Sequence, residues 1–260
     1  MHRRTPLIVA MVMALIAASA ASVALAGAPV TGADGNSQSI DVKIGPKKLS
    51  KTKLTPATLE VTTKVTNGTA PNGVPVPATR VVVDFDKTAK LFTKGLPTCN
   101  AGQLQNVSTE AAEQACKGAI IGKGTAAALL PVGEKIYNVA QVVTAFNGAP
   151  QGGKPVVLLH SYGTTPIQTT LVLVGVVSNY NKEGYGPRLD VAVPLIGGGA
   201  GALTDFNVKI NKKFKYKGES KSFVSAKCPN SKKLKARGAF TFHDGETITA
   251  LSTQTCQQKK

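Results

Sequence analysis

The sequence predicts an all-β fold, a β-sandwich of jelly-roll-like or immunoglobulin-like type. Three observations carry that expectation. Short alternating or wholly apolar runs recur along the chain, divided by Gly, Pro, Asn and Asp. The alternation is clearest near both ends, as suits sheets with one buried face. Only one stretch, after residue 107, carries the signals of a helix.

In chain order, residues 27–37, GAPVTGADGNS, are small and polar and are expected to be disordered. Strands are predicted at 39–44, 58–67, 79–86, 119–130, 135–146, 154–162, 167–180, 187–196, 204–216, 222–228 and 238–252. The runs 154–160 and 169–177 are apolar on both faces, which places them centrally in a sheet. In AFTFHDGETITAL, a three-residue loop with Gly245 in the left-handed position sets Phe240 opposite Ile248 and gives one apolar face. Residues 38–260 contain no linker of more than a few residues and no convincing repeat, so a single sandwich domain is expected there.

The helix is predicted near 108–117. Ser108 is the cap, Glu110 and Glu113 lie in the early turns, Lys117 comes late, and Gly118 follows as the residue that ends it. Cys99 and Cys116 flank this stretch, while Cys228 and Cys256 lie far downstream. Zinc sites place ligands two to four residues apart, and a C-x-x-C redox pair is absent.

Compartment decides between the remaining roles of the cysteines. Residues 1–26 read as a signal peptide. His2, Arg3 and Arg4 precede an almost wholly apolar stretch from Leu7 to Val23, and Ala24-Leu25-Ala26 offers a small-x-small cleavage site. No later run is long and apolar enough to span a bilayer as a helix. The expected location is therefore extracellular or at the cell envelope, where disulfides persist. Of three possible connectivities the least entangled is Cys99–Cys116 with Cys228–Cys256. The first pair staples the helical insertion between two strands. No metal and no organic cofactor is expected.

The full chain carries 31 basic and 14 acidic residues, and after Ala26 the only arginines are Arg80, Arg188 and Arg237. Lysine is a hydrated point charge and lacks the fork that reads a base edge, so sequence-specific nucleic-acid recognition is not expected. The lysines concentrate in 43–53, 209–221 and 227–237. From Phe206 to Lys217, period two puts Phe206, Val208, Ile210, Phe214 and Tyr216 on one strand face and Lys209, Lys213, Lys215 and Lys217 on the other. A solvated face that discourages edge pairing is the commoner role of such a run. The sharper reading is a docking surface for an anionic envelope polymer or lipid surface, formed by these four lysines with Lys232, Lys233 and Lys235.

Catalytic patterns are scarce. GKGT at 122–125 has glycine where a phosphate loop requires Ser or Thr, and IGGGAGA at 196–202 lacks the lysine. No G-x-S-x-G occurs. His160 and Ser161 adjoin, so on a strand they point to opposite faces; they read as a polar pair at a strand end. Asp84 and Asp86 share a strand face about 6–7 Å apart by strand rise, a spacing open to carboxylate hydrolysis, though salt bridges to nearby lysines are the simpler role. No catalytic residue is assigned. The sequence thus favours a secreted, non-enzymatic β module, with an extracellular hydrolase using Asp84 and Asp86 as the alternative.

The pieces DFDK, KGLPTCNAGQLQN, AEQACKGAIIGKGTA, AFNGAPQGGKP, FNVKINKKFKYKG, SAKCP and FTFHDG with a following cysteine together resemble a group of secreted, β-rich hypothetical proteins of actinobacteria. The likeness runs from about Lys47 onward. It implies export and a single unit, and it carries over no catalytic residue.

Overall fold

Alternation along the chain becomes two-sidedness in space. In β2 (Asn36–Gly45) Ile40, Val42 and Ile44 are buried, while Asp41 and Lys43 between them face outward. In β16 (Lys233–Phe242) Leu234, Ala236, Phe240 and Phe242 are buried in the same rhythm. Each fully buried side chain of this size contributes roughly 1.5–3 kcal/mol. The computed structural model describes residues 27–166 and 168–259. The predicted signal peptide, residues 1–26, lies outside the described residues.

The fold is all-β with one short helix. The strands are β1 (Val30–Thr31), β2, β3 (Lys48–Ser50), β4 (Thr55–Asn67), β5 (Ala78–Asp86) and β6 (Lys90–Leu91). The helix α1 (Thr109–Ala115) precedes β7 (Ile120–Val132), β8 (Lys135–Gln151), β9 (Lys154–Gly163), β10 (Thr169–Asn179), β11 (Tyr185–Ala192) and β12 (Ala202–Ile210). The chain continues through β13 (Lys213–Tyr216), β14 (Glu219–Ser222), β15 (Val224–Ala226), β16, β17 (Thr247–Thr255) and β18 (Gln257–Lys259).

One antiparallel path runs β1-β2-β4-β12-β7-β8-β9-β10-β11-β5-β16-β17. Its two ends meet. The Val42 N–H donates to Ser252 Oγ at 2.9 Å, and Gln254 bonds both backbone groups of Ile44. The sheet thus curls until β2 and β17 meet through side chains, nearly barrel-like, with eleven strands in the ring from β2 to β17. Inward side chains from β2, β4, β5, β7, β8, β9, β10, β12, β16 and β17 belong to one core cluster.

Gly122 and Gly124 explain GKGT. A Cβ at Gly124 would lie 1.9 Å from the Asn207 carbonyl oxygen, and one at Gly122 would lie 2.3 Å from that of Lys209. The glycines let β7 pack closely against β12, which is a structural requirement with no phosphate involved.

Several expectations hold residue by residue. The disulfides are Cys99–Cys116 and Cys228–Cys256. Ser108 caps α1, its Oγ accepting from the Ala111 N–H at 3.3 Å. Phe240 lies opposite Ile248, with Gly245 at φ +93° in the turn. β9 and β10 are interior to the sheet. β9 is apolar on both faces because the insertion covers its outer side, where Val156, Leu158 and Phe146 pack on Leu104, Ala112, Cys99 and Cys116.

Three expectations need correction. Residues 27–37 are ordered, not disordered: the Gly27 N–H donates to the Leu251 carbonyl, β1 pairs with β2, and the Asn36 side chain is buried. Small polar composition hid these backbone bonds. The helix ends at Ala115, with Cys116 as its cap and Gly118 inside a following 3-10 turn, because the disulfide and the entry into β7 redirect the chain there. The run 204–216 is not one strand. It breaks at Asn211 and Lys212, whose N–H groups both donate to the Ile121 carbonyl, and Lys213 starts the separate β13–β14 hairpin.

Candidate functional site

The lysine clusters that stand apart in sequence converge at one end of the curled sheet. Backbone bonds bring them there. β18 pairs in parallel with β3, the Gln257 N–H donates to the Lys47 carbonyl, and the Cys228 N–H donates to that of Ser50. β15 bridges β4 and β6, the Phe92 N–H donates to Phe223, and the Phe223 N–H donates to Lys212. The Cys228–Cys256 disulfide closes the same end. Segments 45–55, 87–95, 211–233 and 255–259 together hold sixteen lysines and a single carboxylate, Glu219, which pairs with Lys221.

Each lysine has a distinct setting. Phe214 stacks on Phe92 at 5.9 Å and Tyr216 meets it edge-on at 5.5 Å, so the β13–β14 hairpin lies with its aromatic face inward. Lys213, Lys215 and Lys217 are exposed on its other face, and Lys217 sits at a turn with φ +50°. Lys209 is exposed on β12, with Glu60 of β4 and Lys123 of β7 as register neighbours. Lys232 and Lys233 are exposed beside a shallow depression of about 620 Å³ that Lys51, Lys232, Gln258 and Lys259 help to line. Of Lys209 and the sixteen lysines of these segments, only Lys221 has a carboxylate partner among the described residues.

Lys235 stands apart from them. Its Nζ bonds the Glu183 carbonyl and lies 4.6 Å from the Tyr185 ring centroid, on the outer face of β16. It shares the outer face of β16 with Lys233, but its head group is engaged by the segment that enters β11.

The opposite end is acidic. The Glu246 carboxylate accepts the Ala33 N–H at 2.6 Å. A hydrogen bond with Asp244, then desolvation and a bond with Glu246, raise the Asp34 carboxyl to about 6. Asp34, Asp244 and Glu246 therefore cluster at the end opposite the lysines.

Asp84 and Asp86 do not form an open pair. Arg188 holds Asp84 through two hydrogen bonds of 2.6 and 3.0 Å, and Arg237 holds it through two more of 3.1 and 2.8 Å. Burial pushes the Asp84 carboxyl up, but the two guanidinium groups outweigh it and hold it below its ordinary value. Asp86 accepts from the Thr88 N–H and hydroxyl and from the Lys235 N–H. Arg80 pairs with Asp190, so all three arginines after Ala26 have carboxylate partners on the β11-β5-β16 outer face. The partners expected for the aspartates were lysines; the arginines, with planar forks and aromatic stacking on Tyr180 and Tyr185, take that role.

His160 and Ser161 point to opposite faces, but within β9 and not at its end. His160 is fully buried beneath the insertion, its Nε2 3.1 Å from the Val107 carbonyl, and burial lowers its pKa. Ser161 faces the interior and donates to Gln141 Oε1 at 2.6 Å. Among the described residues, no three His, Cys, Asp or Glu side chains converge to hold a metal ion. No helix of the described residues is long and apolar enough to cross a membrane. Asn67 is buried, its amide donating to the Asp34 carbonyl and to Asn36 Oδ1. Compared with family models, curated proteins and solved structures, the chain matches none of them.

Proposed function

We propose that the protein is an exported, non-enzymatic β module held at an anionic envelope surface through its lysine-rich end. One observation carries this reading: sixteen lysines with one carboxylate meet at one end, while the acidic groups Asp34, Asp244 and Glu246 lie at the other. Such a charge separation orients the molecule in the field of a polyanion before contact. Lysine without arginine at this end suits loose, salt-sensitive attachment, with no fork to read a particular phosphate geometry. Export is supported by the two disulfides together with the signal-like residues 1–26.

The carboxylate reading finds no support in the geometry. A general acid or base must reach substrate, and Asp84 has both oxygens engaged by arginines.

Binding of the purified protein to isolated cell envelope, anionic vesicles and DNA across a salt series tests the proposal. Binding at low salt that weakens steeply as salt rises is expected. Replacing Lys209, Lys213, Lys215 and Lys217 with Glu should abolish it with folding intact, since these side chains face away from the core. Failure to bind any of the three at low salt overturns the proposal.

A further inference from the structure

Eight-stranded barrels have interiors that side chains just fill, and wider rings leave space. This ring has eleven strands, and Val is the commonest residue lining the space inside it. Val61, Val208, Ala126, Val143 and Val157, on the successive strands β4, β12, β7, β8 and β9, line part of a cavity of about 150 Å³. Larger side chains line it toward each end: Phe223 on the lysine-rich side, and Ile196 and Leu203 on the opposite side.

No charged residue lines the cavity, and its wall is apolar except near Thr63, Gln141 and Ser161. Gln141 is 5% exposed. Its Oε1 is taken by the Ser161 hydroxyl. Gln141 lines the cavity, and its Nε2 donors, which are not sealed off from accessible space, have no protein partner among the described residues.

We infer that the barrel interior is a binding site for a small neutral amphiphile, a hydrocarbon body of about six to ten heavy atoms with one oxygen acceptor for Gln141 Nε2. The size follows from the volume, which matches apolar protein cavities that hold a benzene ring. Neutrality follows from the wall: an ionised carboxylate there would lose its hydration and meet no counter-charge. The oxygen follows from the unpaired amide. This site is independent of the lysine-rich end.

Octan-1-ol, octane and octanoate share a chain and differ at the head, so they separate these claims. The measurement is a titration of the full protein at neutral pH, followed by methyl NMR of the Val and Leu side chains. Octanol is expected to give saturable shifts confined to cavity residues, to bind about tenfold more tightly than octane, and to outcompete octanoate at those methyls by about a hundredfold or more. Octanoate contacts at the lysine end would not move cavity methyls. Gln141→Leu should remove the advantage of octanol and leave it binding no more tightly than octane. Ala126→Leu, and separately Val157→Leu, should fill the space and remove binding; the second covers a misfolded first. The inference is overturned if none of the three ligands shifts cavity methyls, if octanoate binds there as well as octanol, or if both folded filling variants bind octanol like the parent.

Discussion

Gln254 of β17 closes the sheet against Ile44 of β2: its Oε1 accepts the Ile44 N–H at 2.6 Å and its Nε2 donates to the Ile44 carbonyl at 3.0 Å. A side-chain amide thus takes the place of a strand partner, satisfying both backbone groups of a residue that is 3% exposed. Gln254→Ala leaves both groups buried and unpaired, at roughly 1–3 kcal/mol each. Urea denaturation should show a loss in that range or up to twice it. Amide exchange should accelerate first at Val42 and Ile44. Unchanged exchange there would show that the seam is held by other contacts.

Asp84→Ala removes the shared partner of Arg188 and Arg237 and leaves two partly buried guanidinium groups facing each other. Breaking one side of a buried ion pair costs about 3–5 kcal/mol. The Asp84 side chain is 3% exposed, which places it in that class. With a lowered native pKa, the carboxylate contributes stability above the unfolded value of about 3.8, and that contribution is lost as pH falls through the native value. Acid titrations of parent and Asp84→Asn should therefore converge at low pH and differ at neutral pH.

His160 acts in a higher pH window. Burial lowers its pKa, opposed by the Val107 carbonyl and by the charge of Glu113. The unfolded chain takes up a proton near pH 6.5 that the folded chain refuses, so stability falls as pH drops from about 6.5 toward the lowered native value. His160→Gln, which keeps a donor for Val107, should flatten the stability profile across that window. A parent-like slope in the variant would assign the dependence to another group.

Removing the Cys99–Cys116 disulfide by a double Ser substitution frees a 17-residue loop, an effect of about 3 kcal/mol in the chain-entropy model. The expected result is local fraying of 99–119, proteolysis within it, and exposure of Phe146, Val156 and Leu158. The Gln254 seam should keep its exchange protection, because the insertion packs on the far outer wall.

Local chemistry was legible in the sequence; long-range pairing was not. Ser108 as a cap, Phe240 opposite Ile248 and the two disulfides depend on residues close in the chain or on compartment. The splitting of 204–216 depends on the Ile121 carbonyl, some ninety residues away in sequence, which no periodicity reveals. The lysine clusters were visible, but their meeting rests on the parallel β3–β18 pair and β15 bridging β4 and β6. The same is true of the cavity. A run such as LVLVGVV signals burial and says nothing of how many strands surround it. Alternation puts Lys235 on the outer face of β16 with Lys233, and its contact with Tyr185 of β11 is a long-range one that the sequence does not show.

The order in which strands find their neighbours has a consequence for biogenesis. β4 lies between β2 and β12, and β2 completes its other side with β17, so two early strands wait for segments made more than a hundred residues later. A chain that emerges from its N-terminus holds those edges open meanwhile, with Val61, Val65, Ile40 and Val42 uncovered. Their flanking charges, Asp41, Lys43, Glu60 and Lys64, alternate with the apolar residues along both strands. Charges placed this way disfavour pairing of the waiting edges with a second copy before the C-terminal strands arrive.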